Sequence, residues 1–148
     1  SADGVDATAE LVQTNQEGDV ALLCCPDLKG GASVKRGDSS KLNVGDVVAA
    51  FGYPADAADQ RFPEIHMGII SNLFSDANST LVQATVAVSP GCSGGPLVTT
   101  DGRFIGLITS KHRTSESPVE RTLALSSNDV FDILEAFASE REVAIAAD

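Results

Sequence analysis

Pro90-Gly91-Cys92-Ser93-Gly94-Gly95-Pro96 places one hydroxyl among three glycines, between one apolar alternating run and the next. Serine acyl-transfer chemistry needs a nucleophile on a tight, exposed turn. It also needs backbone N–H groups aimed at the spot where a tetrahedral oxyanion forms. Glycines supply the backbone conformations that such a turn requires. The plainer reading is a Gly-rich turn that joins two strands.

The same residues allow two other assignments. Gly91-Cys92-Ser93-Gly94-Gly95 fits the Gly-x-Ser-x-Gly nucleophile elbow, whose serine must open a helix. Pro96 to Gly102 reads instead as a short strand and an Asp-Gly turn, so the elbow is rejected. Cys92 as the nucleophile would stand one residue out of step with the Gly94-Gly95 pair. Ser93 is therefore preferred, and Cys92 is expected to pack beside the loop.

Outward from this stretch, the chain reads as strands. Residues 1–15 are acidic, Ala-rich and weakly patterned, and read as a loop or a loosely tied terminus. Gln16-Glu17-Gly18 is a turn, and Asp19 opens a buried strand that Pro26 stops. A polar connection, 27–43, leads to a strand at 47–53. Further strands are expected at 66–74, 81–88, 97–99, 103–111 and 121–125, with a turn at 76–79. Ser126 or Ser127 caps a helix with Asp129 and Asp132 in its first turns. Its apolar stripe is Val130, Ile133, Leu134, Phe137 and Ala138. The fold class is all-β, an antiparallel Greek-key barrel with a C-terminal helix.

The run from Gln83 to Val98, followed by Asp101-Gly102-Arg103-Phe104-Ile105-Gly106-Leu107-Ile108-Thr109, resembles the nucleophile region of trypsin-like serine proteases. It is most similar to the HtrA/Deg branch and to peroxisomal processing proteases, and the resemblance spans roughly Gly18 to Phe137. It implies a serine endopeptidase working through an acyl-enzyme on peptide or protein substrates. Residues 1–45 would hold the last strand of a first barrel and a linker, and residues 46–142 the second barrel and its helix. Ser93 would be the nucleophile, and the N–H groups of Gly91 and Ser93 the oxyanion hole. Asp19, before Val20-Ala21-Leu22-Leu23, would be the triad acid, which holds the tautomer of the catalytic imidazole. Thr109, Ser110 and Lys111 would pair with substrate backbone. The first pocket would be lined near Ala87, Val88 and Ser89, with no acid at its base, and would take small or medium apolar side chains. Lys111 stands where trypsin has a pocket-rim glycine, which narrows access.

The chain departs from the family at the histidine. The family places it in a Thr-Ala-Ala-His motif upstream of the aspartate, and this chain has no histidine before His66. His66 and His112 match no family position, although His112 lies near the implied cleft. Three readings stay open. The chain is the C-terminal portion of a protease, inert alone, whose histidine comes from a first-barrel segment or chain. Alternatively it is a non-catalytic protease-like binding module, or an unrelated barrel. Ser1 in place of methionine fits a processed chain or an excised piece, and nothing after residue 142 is long enough for the PDZ domain that HtrA-type proteins carry.

Composition bounds the partners. The 148 residues suit one domain, and 43% hydrophobic residues suffice for a core. A net charge of −11 argues against nucleic acid and anionic membrane as the main partner. No run approaches the ~20 apolar residues of a membrane span. The three cysteines, Cys24, Cys25 and Cys92, suggest neither a disulfide framework nor a metal site. Cys24 and Cys25 are expected as buried small hydrophobes, and a reducing, intracellular or organellar compartment is favoured. No metal or organic cofactor is implied.

Overall fold

The computed structural model describes residues 7–28, 32–53, 55, 63–75, 79–112 and 121–141, with the backbone alone for 110–112, 121, 140 and 141. Strands β1 (Glu10–Asn15) and β2 (Val20–Cys24) form an antiparallel hairpin. A short strand, β3 (Lys35–Arg36), and a 3₁₀ turn (Ser39–Lys41) follow. The barrel is built from β4 (Val47–Gly52), β5 (Glu64–Ser75), β6 (Thr80–Ala84), β7 (Pro96–Thr99), β8 (Arg103–His112) and β9 (Arg121–Ser126). Helix α1 (Ser127–Arg141) closes the described chain.

Six strands hydrogen-bond in the order β4-β5-β6-β9-β8-β7 and back to β4, all antiparallel. The barrel therefore leaves no open sheet edge along its paired length. Its interior follows from period-two alternation. In β4, Val48 and Ala50 are fully buried, and they meet Ile70, Val82, Leu97, Ile105, Ile108 and Ala124 in one core. β3 adds to the outside of β8 in parallel register, a strand too short to be visible in the sequence pattern.

The hairpin differs from expectation. Residues 10–15 are a strand, not a loose terminus. A register shift between Leu11 and Gln13 breaks the alternation by which a strand is recognised. β2 is not a buried strand either. Val20 is covered, but Leu23 is 53% exposed, Cys24 is exposed and Cys25 is half-buried. A two-stranded sheet covers only the face that meets another layer, and here that contact is at one end. A Cβ on Gly18 would lie 2.7 Å from Ile133 Cδ1, so the hairpin turn rests on α1.

The segment after β6 carries the chain toward Ser93. The expected strand 81–88 stops at Ala84, although Val86 and Val88 stay buried. Thr85 N–H donates to Ile69 O at 2.9 Å, and Thr85 Oγ1 accepts from Ile69 N–H at 3.0 Å, beside a register shift between Ile70 and Asn72. The buried Thr122 hydroxyl then donates to Val86 O at 2.7 Å, tying this irregular stretch to β9. Thr122→Val keeps the shape and removes the donor. It is expected to cost about 1–3 kcal/mol in urea unfolding, the penalty of an orphaned buried carbonyl; an unchanged midpoint would show that the tie is dispensable.

α1 begins as the sequence indicated. Ser126 Oγ accepts from Asp129 N–H at 3.2 Å, and Asp129 Oδ2 accepts from Ser126 Oγ at 2.9 Å and from Thr80 N–H at 2.6 Å. Val130 and Phe137 are buried, and Ile133 and Leu134 pack against a second core around Phe104 and Leu125. Phe131 meets Phe104 edge-on at 6.0 Å and carries the Arg36 guanidinium 4.3 Å from its ring centre. Ser127 Oγ donates to Gly37 O at 3.0 Å, so the connection before β4 is clamped to the helix start. In that connection Asp38 is held well below the usual carboxylate range by the Ser40 hydroxyl first, then Lys41 and Asn128. Among the described residues no helix is long and apolar enough to cross a membrane.

Candidate active site

Ser93 lies on the turn that feeds β7. Cys92 N–H donates to Ser89 O at 3.1 Å and Gly95 N–H to Cys92 O at 2.9 Å, so the chain folds back on itself on both sides of the serine. Gly91 (φ 100°) and Gly94 (φ 82°) take the left-handed conformations that this double reversal requires. Gly94 N–H donates to Ile108 O at 2.7 Å and Ile108 N–H to Gly95 O at 2.9 Å, which fastens the turn to β8. On its other flank, Ala55 N–H donates to Pro90 O at 2.8 Å.

The end of β4 acts as a mould. A Cβ on Gly52 would fall 2.6 Å from both Cβ and Sγ of Cys92, and one on Gly95 would overlap the Phe51 carbonyl. Cys92 is 1% exposed and joins the barrel core, whereas Ser93 is exposed. The alternation across this turn thus separates the rival nucleophiles: the thiol faces the core and the hydroxyl faces solvent. The strand Pro96–Thr99 and a turn at Gly102 (φ 79°) follow, with no helix at the serine. Sequence reading did not pick out Gly52 or Ile108 as supports. The Phe51-Gly52-Tyr53-Pro54 stretch carried a signal for Gly52, but it read only as a turn.

β8 outruns its partner. Its pairing with β7 ends at Leu107 opposite Pro96, and Ile108 bonds the turn itself. Beyond that, Ser110, Lys111 and His112 pair only with Leu123, Thr122 and Arg121 of β9, after a register shift at Thr109. The other edge of this extension therefore lies beside the Ser93 turn without a strand partner among the described residues.

The site is thus an exposed serine on a glycine turn, beside a strand edge in a six-stranded barrel. Residues 1–107 match the family model of the trypsin-like peptidase domain. The chain belongs to this family. Among curated relatives it is similar to "Serine protease Do-like HtrA" of Bacillus subtilis (strain 168), at 34% identity over 95% of this chain and 33% of the relative. It is also similar to a "Probable periplasmic serine endoprotease DegP-like" of Halomonas elongata, at 31% identity over 95% and 30%. Among solved structures it resembles "HtrA-type protease AlgW with decapeptide", with a TM-score of 0.80, 29% identity, and coverage of 93% of this chain and 42% of that one. This trypsin-like chain spans about a third of the length of the curated relatives it matches.

Of the residues that the trypsin-like resemblance singled out, the structure brings some together and leaves others apart. Gly91 and Ser93 share one turn and line one cavity. Asp19 is exposed, with φ 51°, in the hairpin turn next to Gly18 and α1. No hydrogen bond to another described residue joins it to Ser93. Val88 is 3% exposed, with its side chain in the barrel core, while Ala87 is exposed and Ser89 half-buried. Thr109 is half-buried on β8; the Ser110 and Lys111 side chains lie outside the described residues, as does that of His112. His66 is on β5, where its Nε2 lies 3.0 Å from Glu64 Oε2. The expected turn at 76–79 lies outside the described residues except for Ser79.

Proposed function

We propose that this chain is the nucleophile-bearing portion of a serine endopeptidase. The observation that carries the reading is the exposed Ser93 on a turn locked between β4 and β8, next to the β8 edge. Ser93 Oγ attacks the scissile carbonyl, and the oxyanion is received by the N–H groups of Gly91 and Ser93. The acyl portion of a peptide substrate adds a strand to Thr109, Ser110 and Lys111, so main-chain bonds give affinity and side-chain pockets give selectivity. The pocket near Ala87, Val88 and Ser89 takes small or medium apolar side chains, since that stretch carries no acid. The relatives' names as serine proteases support the same reading.

The base is a histidine on a first-barrel segment or chain, oriented by Asp19. In this division residues 1–45 complete the first barrel and the linker, and residues 46–142 form the second. The uncovered hairpin supports this, with Leu11 62% and Leu23 53% exposed. So does a stripe on the outside of the barrel, Val47, Ile65, Met67 and Ile69, which neighbouring strands place side by side. Contiguous exposed apolar surface of this kind marks an interface. Without such a partner this chain is inert as an enzyme and is expected to self-associate as its concentration rises, as sedimentation velocity would read. A monomer at every concentration would count against a missing apolar partner.

A second reading is a non-catalytic peptide-binding module, favoured by His66 being engaged by Glu64 rather than by Ser93. Fluorophosphonate labelling of the protein from its natural source, with any partner retained, separates the two. Modification at Ser93 supports the protease; an unmodified, folded protein supports the module.

A further inference from the structure

We propose that the cavity on the β4 flank of Ser93 is a subsite for an apolar side chain on the leaving-group side of the scissile bond. The proposal deepens, and rests on, the reading of Ser93 as the acylating nucleophile. The cavity measures about 390 Å³ and is lined by Phe51, Gly52, Tyr53, Pro63 and Pro96 together with the serine turn, Gly91 to Gly95. Apart from the Tyr53 and Ser93 hydroxyls, the described side chains that line it are apolar and carry no charge. That lining favours an apolar occupant and penalises a charged one, which would lose water without gaining a partner.

Sheet order decides which part of a substrate arrives there. β7 lies between β4 and β8, and the Ser93 turn sits at the start of β7. A peptide whose acyl portion runs along the β8 edge crosses Ser93 and leaves over the opposite flank, where β4 ends at Gly52 and Tyr53 follows. Gly52 lets the buried Cys92 pack directly against the end of β4, since a Cβ there would fall 2.6 Å from Cβ and Sγ of Cys92, and this holds the serine turn against the cavity's β4 wall. Tyr53 is 47% exposed, so its ring is available to a ligand as well as to solvent. The subsite and the first pocket near Ala87 to Ser89 thus both select apolar residues, one on each side of the bond.

The chain carries its own reporter. Tyr53 is its single tyrosine and there is no tryptophan, so tyrosine emission reads this cavity alone. Titration with Leu-Ala-Ala amide, a mimic of the released fragment, is expected to change that emission saturably. Asp-Ala-Ala amide is expected to bind about 10–200-fold more weakly, the range that apolar pockets achieve. Tyr53→Phe should abolish the signal. Equal responses to the two peptides, or none, would overturn the subsite. In the protein from its source, peptides that differ only in the residue after the scissile bond should show the same ranking in kcat/KM; an inverted or flat ranking would also overturn it. Labelling at Ser93 is scored separately. A selective Tyr53 response with unlabelled Ser93 would keep the apolar site and reject the protease reading, whereas labelled Ser93 with an indifferent Tyr53 would do the reverse.

Discussion

Ser93→Ala is expected to abolish fluorophosphonate labelling and to lower peptide hydrolysis by the partner-complete protein by about 10⁴–10⁶-fold. Removing the nucleophile of a serine hydrolase costs about 2 × 10⁶ in kcat, because the remaining groups act as a unit around it. What persists is the work of the oxyanion hole and binding, about 10³–10⁴ over water. The fold should not notice the change. Ser93 is exposed, and its hydroxyl makes no hydrogen bond to another described residue, so the stability change should stay within about 0.5 kcal/mol. Full activity in Ser93→Ala, with a thiol-directed reagent then inhibiting, would return the nucleophile to Cys92 and refute the assignment.

Gly95→Ala is expected to do the opposite, damaging fold and activity together. A Cβ there would overlap the Phe51 carbonyl and lie 2.9 Å from Cys92 O. Neither contact is the far end of a flexible side chain; one is backbone of β4 and the other backbone of the turn itself. The turn must shift, and it cannot do so without weakening the pair of bonds between Gly94, Gly95 and Ile108. Overpacking of this kind costs about 1–3 kcal/mol. Displacing an oxyanion donor costs a further ~10²–10³ in rate. Urea unfolding and the rate of Ser93 labelling should both report the change. A variant with native stability and native labelling would show that the turn is not held by β4.

Gly95 and Ser93 therefore test separate things: the second asks what the turn does, the first what holds it. The sequence distinguished them poorly, since both appeared in one Gly-rich motif. It set Ser93 apart from Cys92 on register with Gly94-Gly95 alone, and in the structure Ser93 is exposed while Cys92 is buried. Burial accompanies that register: the irregular segment after β6 turns Val86 and Val88 inward, and the turn that follows buries Cys92 and leaves Ser93 outside.

Most of the barrel was legible for an equally local reason. β4 has one buried face and one exposed face, which writes period two into the chain; β7, β8 and β9 are covered on both faces over much of their length and read as short apolar runs between turns, and α1 shows its stripe and its Ser126 cap. The misses have separate causes. β1 carries a register shift and β3 is two residues long, so neither shows a sustained period, whereas Thr85 to Ser89 leaves β6 yet keeps burying Val86 and Val88, so it reads as a strand that the pairing does not continue. Cys24 and Leu23 looked buried because composition cannot say whether another layer covers a strand.

By itself, then, the sequence determined the family, the strand inventory of the barrel and the residue that faces solvent on the Gly91–Gly95 turn, because each depends on neighbours within a few positions. Tertiary structure alone decided what surrounds that turn. Gly52 of β4 and Ile108 of β8 reach the Ser93 turn from 41 and 15 residues away in sequence, and Thr122 of β9 ties down Val86, 36 residues away, in the segment that leads into it. They meet it only because the barrel closes in the order β4-β5-β6-β9-β8-β7. Closure brings distant backbone groups to one rim, and no local pattern records which of them will meet there.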